Sequence, residues 1–281
     1  MNPLFYWLVI EIVGGGLIGL SCAWELGRRG LDAIVYEQDP GGKGSSSWAG
    51  AGMLAAHAEA FPDEIWQQNA LESAAMYPAW VAALGGAIDF IPESAVGEGH
   101  VDPRDLLREL RARVQIERRM ISGLDELSGE QIVICAGAWS GLLGPIPLVE
   151  PVKGYLLAWD GFAVGSIEAI LRDGHSYVFQ RRGGRVIAGS TEERIGFDRS
   201  IDAARVAELR IRAETLWEPL KGTDPDDVWC GFRPATPDAH PVVRRLDART
   251  VAAYGHYRNG ILLAPWTARW VADEIQRQLG K

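Results

Sequence analysis

The chain has 281 residues, 47% of them hydrophobic and 23% charged, a globular composition with enough apolar material for one large or two modest cores, which excludes disorder as a global state. Its 28 Lys+Arg against 37 Asp+Glu leave a formal net charge of −9; no block of consecutive basic residues stands out, so a nucleic-acid partner has little electrostatic support and small-molecule chemistry is expected. Cys22, Cys135 and Cys230 lack the CxxC spacing of a metal site or redox pair and read as reduced core residues of a cytoplasmic protein.

The apolar opening "PLFYWLVI" has no Lys or Arg before it and meets Glu11 well short of the ~20 residues of a membrane span. It reads as the lead-in to a buried strand, and no membrane span is expected. Residues 8–30, "LVIEIVGGGLIGLSCAWELGRRG", are a β-branched run, a glycine turn, and then Leu17, Leu20, Ala23, Trp24 and Gly27 at helical spacing. "DAIVYE" follows, ends in Glu37 and completes a βαβ unit. Within it, Gly14-x-Gly16-x-x-Gly19 carries the physics of dinucleotide binding. The first glycine makes the tight turn, the second admits a pyrophosphate against the backbone, the third allows close helix packing, and the helix N-terminus favours the phosphate charge. Glu37 is placed to take the adenosine ribose hydroxyls.

Residues 41–52, "GGKGSSSWAGAG", are too rich in Gly, Ser and Ala for a packed element and read as a loop whose amides approach something closely. A helical period covers 63–84, a strand-like pattern 86–98, and Asp102 followed by Pro103 marks a helix start. "EQIVICAGAWSGLL" is a buried strand that ends at Ala136 and Gly137 before another helix start. "YVFQRRGGRVIAGST" is a hairpin turning at Gly183-Gly184. On its first strand, a period of two sets His175, Tyr177, Phe179 and Arg181 on one face and Val178 and Gln180 on the other. Residues 201–220 read as helical and "VWCGFRPATPDAHPVV" as an irregular, proline-rich connection. The chain then returns to strand, loop and helix, with Ala268, Val271, Ala272, Ile275 and Leu279 as one apolar stripe. No repeat of fixed period appears.

The glycine motif by itself does not separate NAD from FAD, but the next loop does. At "GSSSWAGAGMLAAHAE" the sequence resembles the glycine oxidase and D-amino-acid oxidase group of flavoproteins, above all the glycine oxidases of thiamine biosynthesis. "PVKG", "HSYVFQRRGGRVIAGST", "GFRPATPD" and "GHYRNGILLAP" extend the resemblance in order to the end of the chain. It implies an α/β fold: a Rossmann-like FAD-binding domain of glutathione-reductase type with a smaller antiparallel-sheet (α+β) substrate domain. Segments 8–85, 100–148 and 228–281 fall to the first, and 86–99 and 149–227 to a shortened second.

The resemblance further implies FAD as cofactor, held by Gly14, Gly16, Gly19, Glu37, Ser46, Ser47, Ala51, Gly52, Met53, Gly137, Gly255, Arg258, Asn259, Gly260, Ile261 and Leu262. Arg233 matches the family's carboxylate-binding arginine, a role suited to a planar, permanently charged guanidinium. Tyr177 matches the tyrosine that shares the substrate carboxylate, and His175 a nearby polar position. Arg258 serves either flavin or substrate, and His57 reads as structural. The implied reaction is oxidative deamination of glycine or another small amino acid, with dioxygen as partner and hydrogen peroxide as product. The segment from about 86 to 130 is much shorter than in the family. Two alternatives therefore stay open: a sarcosine or D-amino-acid oxidase or dehydrogenase, and a flavin-binding protein with little oxidase activity. Assembly into a homo-oligomer is also left open.

Overall fold

The structure is a computed structural model and describes residues 9–93, 97–174 and 176–280. The role expected of His175 and the strand lead-in before Val9 lie outside the described residues. In chain order the elements begin with β1 (Ile10–Val13), α1 (Leu17–Arg28), β2 (Ala33–Glu37), α2 (Ser46–Ala49), β3 (Met53–Leu54), α3 (Glu64–Leu84), β4 (Phe90–Ile91) and β5 (Gly99–Val101). Then come α4 (Pro103–Arg111), β6 (Gln115–Arg118), β7 (Gln131–Ile134), β8 (Glu150–Trp159), β9 (Leu171–Arg172), β10 (Tyr177–Gln180) and β11 (Val186–Gly189). The last are α5 (Ala203–Leu216), β12 (Asp227–Ala235), β13 (Val242–Arg245), β14 (Thr250–Tyr254) and α6 (Ala264–Gln278).

All four residues of β1 are buried, as befits a central parallel strand covered on both faces. It pairs in parallel with β2 and β7 at the middle of a six-stranded sheet of order β13-β14-β7-β1-β2-β6, in which β13 alone runs antiparallel to its neighbour. One face packs Ile10 and Ile12 against Leu17 and Leu20 of α1, Val271 and Ile275 of α6, and Tyr77 and Trp80 of α3. The other buries Val13, Ile132, Ile134 and Tyr254. Each such aliphatic side chain, fully buried, contributes about 1.5–3 kcal/mol.

The second layer is an antiparallel sheet of order β12-β8-β11-β10-β9. Its alternation sorts the side chains: Tyr155, Leu157, Trp159, Val178, Val186 and Ala188 meet Leu209 and Ala213 of α5, while Leu156, Ala158, Tyr177, Phe179, Ile187 and Trp229 meet Ala49, Trp48 and Met53. Tyr177 and Val178 thus take opposite faces, as the period of two requires. The hairpin turns at Gly183-Gly184, with the Gly184 amide donating to the Arg181 carbonyl at 2.9 Å.

Several sequence expectations change. The stretch read as an irregular connection is β12 for its first eight residues, and β12 pairs with β8 from Asp227↔Ala158 to Ala235↔Glu150. Pro234 is tolerated there because β12 is an edge strand, where a missing N–H need not break the ladder. By its hydrogen bonds β12 belongs to the antiparallel sheet, not to the six-stranded one with which 228–281 was grouped. The 86–99 segment likewise supplies β4 and the start of β5 to a small sheet of order β3-β5-β4, not to the five-stranded sheet. Within 41–52, Ser45 accepts from the Trp48 amide at 3.1 Å and caps the single turn α2. The helix expected after Ala136 is a 3-10 turn, Gly137–Leu142. No described helix is long and apolar enough to cross a membrane.

Candidate active site

A cavity of about 520 Å³ lies where the ends of β1, β2 and β7 meet the antiparallel sheet, the crevice in which open α/β sheets bind ligands, and within the roughly 300–1,000 Å³ of ligand and cofactor sites. Tyr36, Glu37, Arg119 and Met120 line one end, Gly14, Gly16, Ser46, Ser47 and Gly137 the middle, and Tyr177, Ser190, Arg233 and Arg258 the other.

The middle is built by glycines. Gly14 has φ +107°, and a Cβ on it would stand 2.5 Å from the Cys135 carbonyl oxygen; a Cβ on Gly19 would fall 2.0 Å from the Gly14 oxygen. Only hydrogen fits at either place. Gly16 is the N-cap of α1 and offers no side-chain oxygen; Ser47 Oγ supplies one, accepting from the Leu17 amide at 3.0 Å. Glu37 is fixed by two backbone donors, Gly15 at 2.7 Å and Asp39 at 2.8 Å. A helix N-terminus, a glycine floor and an anchored carboxylate at the end of β2 fit the pyrophosphate and ribose of FAD.

Ala51, Gly52 and Met53 line the next stretch, opposite Asn259, Gly260 and Ile261. The Ala51 carbonyl accepts from the buried Arg181, which also donates to His100 Nδ1 at 3.1 Å; burial, and then the charge of Arg181, push His100 down to about 3, so it stays neutral. Residues 256–262 are clamped by α3, where Tyr77 Oη donates to the Ile261 carbonyl at 2.5 Å and Ser73 Oγ to the Leu262 carbonyl at 2.7 Å. Buried His256 is held down to about 3 and lies 3.0 Å from Thr267 Oγ1 in the first turns of α6. Tyr257 takes φ +49°, and its amide donates to the Pro234 carbonyl at 2.9 Å, tying this loop to β12.

At the far end, Arg233 Nη1 donates to the Thr191 carbonyl at 3.0 Å and Nη2 to Ser190 Oγ at 2.8 Å. Gly154 makes room for it, since a Cβ there would come 2.4 Å from Nη1. Burial lowers Arg233 from its ordinary value, with the facing Tyr177 opposing that shift, and burial raises the Tyr177 hydroxyl against the pull of Arg233 and Arg258. Arg258, partly exposed, has Nε 3.7 Å from Glu59 Oε2. The Tyr257 hydroxyl, pushed up to about 12 by burial and by its bond to Glu192, lies beside Arg233 and Arg258.

The expected site residues therefore divide. Gly14, Gly16, Glu37, Ser46, Ser47, Ala51, Gly52, Met53, Gly137, Arg258, Asn259, Gly260 and Ile261 line the cavity together with Tyr177 and Arg233. Gly19, Gly255 and Leu262 do not line it. Gly255 has φ +78°, and its Cβ would meet Thr236 at 2.6 Å; Leu262 is a core residue; all three act by packing. His57 pairs with Glu93 at 3.0 Å on the surface. Ser73, Tyr77, Glu59, Ser190 and Tyr257 were not anticipated. For Ser73 and Tyr77 the signal was present as two polar groups four residues apart on one helix face; for the others no local pattern exists.

The profile of the DAO family, described as FAD dependent oxidoreductase, matches residues 10–127 and 93–274. The glycine oxidase of Bacillus licheniformis is 28% identical over 342 aligned residues, which cover 94% of this chain and 92% of that protein. The bifunctional protein ThiO/ThiG of Trichormus variabilis is 29% identical over 346 residues, 96% of this chain but 53% of its own length, so the chain spans about half of that relative. Both alignments are longer than the 281 residues available here, so these relatives carry insertions without counterpart in this chain. The crystal structure of glycine oxidase from Geobacillus kaustophilus has a TM-score of 0.84 at 26% identity, with 95% of this chain and 94% of that one covered. The chain belongs to the DAO family of FAD-dependent oxidoreductases.

Proposed function

We propose that the protein carries out oxidative deamination of glycine or another small amino acid, giving an imine that hydrolyses to an oxo acid, with dioxygen reduced to hydrogen peroxide. The observation that carries this reading is Arg233, a guanidinium held by Ser190 and Thr191 and facing Tyr177 at the end of the cavity beside residues 256–261. In this reading the six-stranded sheet and its helices form the FAD-binding domain and the five-stranded sheet with α5 the substrate domain. Three free cysteines fit a reducing, cytoplasmic setting.

FAD, when bound, supplies the two-electron acceptor for the substrate Cα–H bond. Gly14, Gly16, Ser46, Ser47 and Gly137 hold its phosphates, Glu37 a ribose, and Ala51–Met53 and 256–261 the ring system. Arg233 binds the substrate carboxylate as a planar double donor, and Tyr177 Oη donates to the same group. Fixing that end orients Cα within the cavity, which is where much of the rate enhancement of such a reaction arises. Leu156, Met53 and Ala49 give the surrounding wall an apolar lining that keeps water from Cα. The N-terminal end of α6 and Arg258 provide positive potential beside the loop, favouring the charge that accumulates on electron transfer.

Anaerobic addition of glycine, sarcosine, D-alanine or D-proline to the FAD-loaded protein is expected to bleach its visible absorbance with at least one of them, and air to restore it with peroxide release. A yellow protein that none of a broad panel of small amino acids bleaches would contradict the reading.

A further inference from the structure

Among the described residues three carboxylates line the cavity: Glu37, Asp39 and Glu59. The first two sit at the other end of the cavity and accept from backbone donors, Glu37 from Gly15 and Asp39, and Asp39 from Gly44 at 3.0 Å. Glu59 is different. Its side chain is only 17% exposed, and its one polar partner among the described residues is Arg258 Nε at 3.7 Å, beyond hydrogen-bond length. Its carboxylate is thus the one lining the cavity that holds no hydrogen bond from the protein among the described residues.

The backbone that carries Glu59 is fixed. Its amide donates to the Ala55 carbonyl at 2.9 Å, and the amides of Ala56 and His57 both donate to Glu93 at 3.1 Å. Glu59 is therefore held by the turn with its Cα at the wall of the cavity. Its charge also reaches Tyr177, whose hydroxyl feels Arg233, Arg258 and Glu59 together. This end of the cavity is thus bipolar, lined by the guanidinium groups of Arg233 and Arg258 and by the carboxylate of Glu59.

We infer that Glu59 is the ammonium pole of this site. It receives the protonated amine of an incoming amino acid while Arg233 receives the carboxylate, so that amino acids are selected over hydroxy acids and simple carboxylates. The inference rests on the reading of Arg233 as the carboxylate clamp. Charge supports it: Arg233 and Arg258 without Glu59 would attract any small anion, whereas with Glu59 the site matches a ligand that carries both signs. An ammonium brings the donors that Glu59 lacks, and charge-assisted bonds of this kind are the stronger class.

The test uses two ligands of the same shape that cannot be oxidised at Cα: 2-aminoisobutyrate, which has no α-hydrogen, and pivalate, which has a methyl in place of the ammonium. Binding to the FAD-loaded protein is followed by perturbation of the flavin absorbance. Glu59→Gln is expected to raise the dissociation constant of 2-aminoisobutyrate by about tenfold and to leave that of pivalate unchanged or lowered, because Arg258 then faces no opposing charge. If both constants move together, or neither moves, Glu59 only orients Arg258 and the inference falls while the clamp stands. If the unmodified protein binds neither ligand, the clamp itself fails, and this inference with it. Should the glutamine variant not load FAD, Glu59→Asp serves in its place, with the same divergence expected at smaller size.

Discussion

Arg233, proposed above as the carboxylate clamp, shows how neighbours orient one side chain. Its two terminal nitrogens already donate to Thr191 and Ser190, so the fork is oriented before any ligand arrives and little side-chain entropy remains to be lost on binding. Arg233→Ala is expected to cost about 2–5 kcal/mol of substrate binding, a fall in kcat/KM of roughly thirtyfold or more, with the flavin spectrum and FAD content unchanged. Steady-state kinetics with the best amine checks this; unaltered kinetics would remove Arg233 from the substrate site. The same residue marks a limit of sequence reading. "GFRPATPD" was legible as the arginine loop of a resembled family, yet its residues up to Ala235 form a strand, and it is strand pairing that aims Arg233 beside Gly154.

Helix α3 and the loop from Tyr257 to Leu263 form one unit, which in the proposed reading carries the ring end of the cofactor. Two carbonyls of that loop, from Ile261 and Leu262, accept from Tyr77 and Ser73, the first also from the Ala264 amide at 3.2 Å. Burial raises the Tyr77 hydroxyl far above its ordinary value, so it remains a donor at any physiological pH. Tyr77→Phe removes the donor but keeps the ring, which packs on Trp80 and Phe90. The expected cost is about 0.5–1.5 kcal/mol, seen as a rise of up to roughly tenfold in the FAD dissociation constant, with little change in secondary structure by circular dichroism. An unchanged affinity would mean that the loop holds its shape without α3. Periodicity over 63–84 found this helix because its apolar residues repeat; it could not say which loop the polar residues would meet nearly two hundred positions later.

At the scale of the whole molecule, two buried histidines couple folding to pH. His100 and His256 are both held near 3 by burial, against about 6.5 in an unfolded chain. Below about pH 6.5 the unfolded state therefore binds more protons than the folded one. Their contribution is full above that pH and is lost as pH falls towards 3, by up to about 1.4 kcal/mol per pH unit for each histidine. Urea unfolding of the protein at fixed FAD is expected to show a lower midpoint at about pH 5 than at about pH 7, and replacing His256 by Gln is expected to narrow that gap; equal midpoints would contradict it. Neither histidine was singled out by sequence reading, because burial is a property of the assembled core. The sequence by itself determined the parallel βαβ unit, the glycine turn, the anchoring acid and the polar loop before α6. Each of these rests on local rules: a repeat of apolar positions, a backbone angle that only glycine adopts freely, a cap before a helix. Only the tertiary structure decided that β12 joins the antiparallel sheet, that α3 clamps the loop at Ile261, and that Glu59 and Arg258 face Tyr177 in one cavity. Those facts depend on which surfaces meet, and the chain brings them together through contacts between residues far apart in sequence.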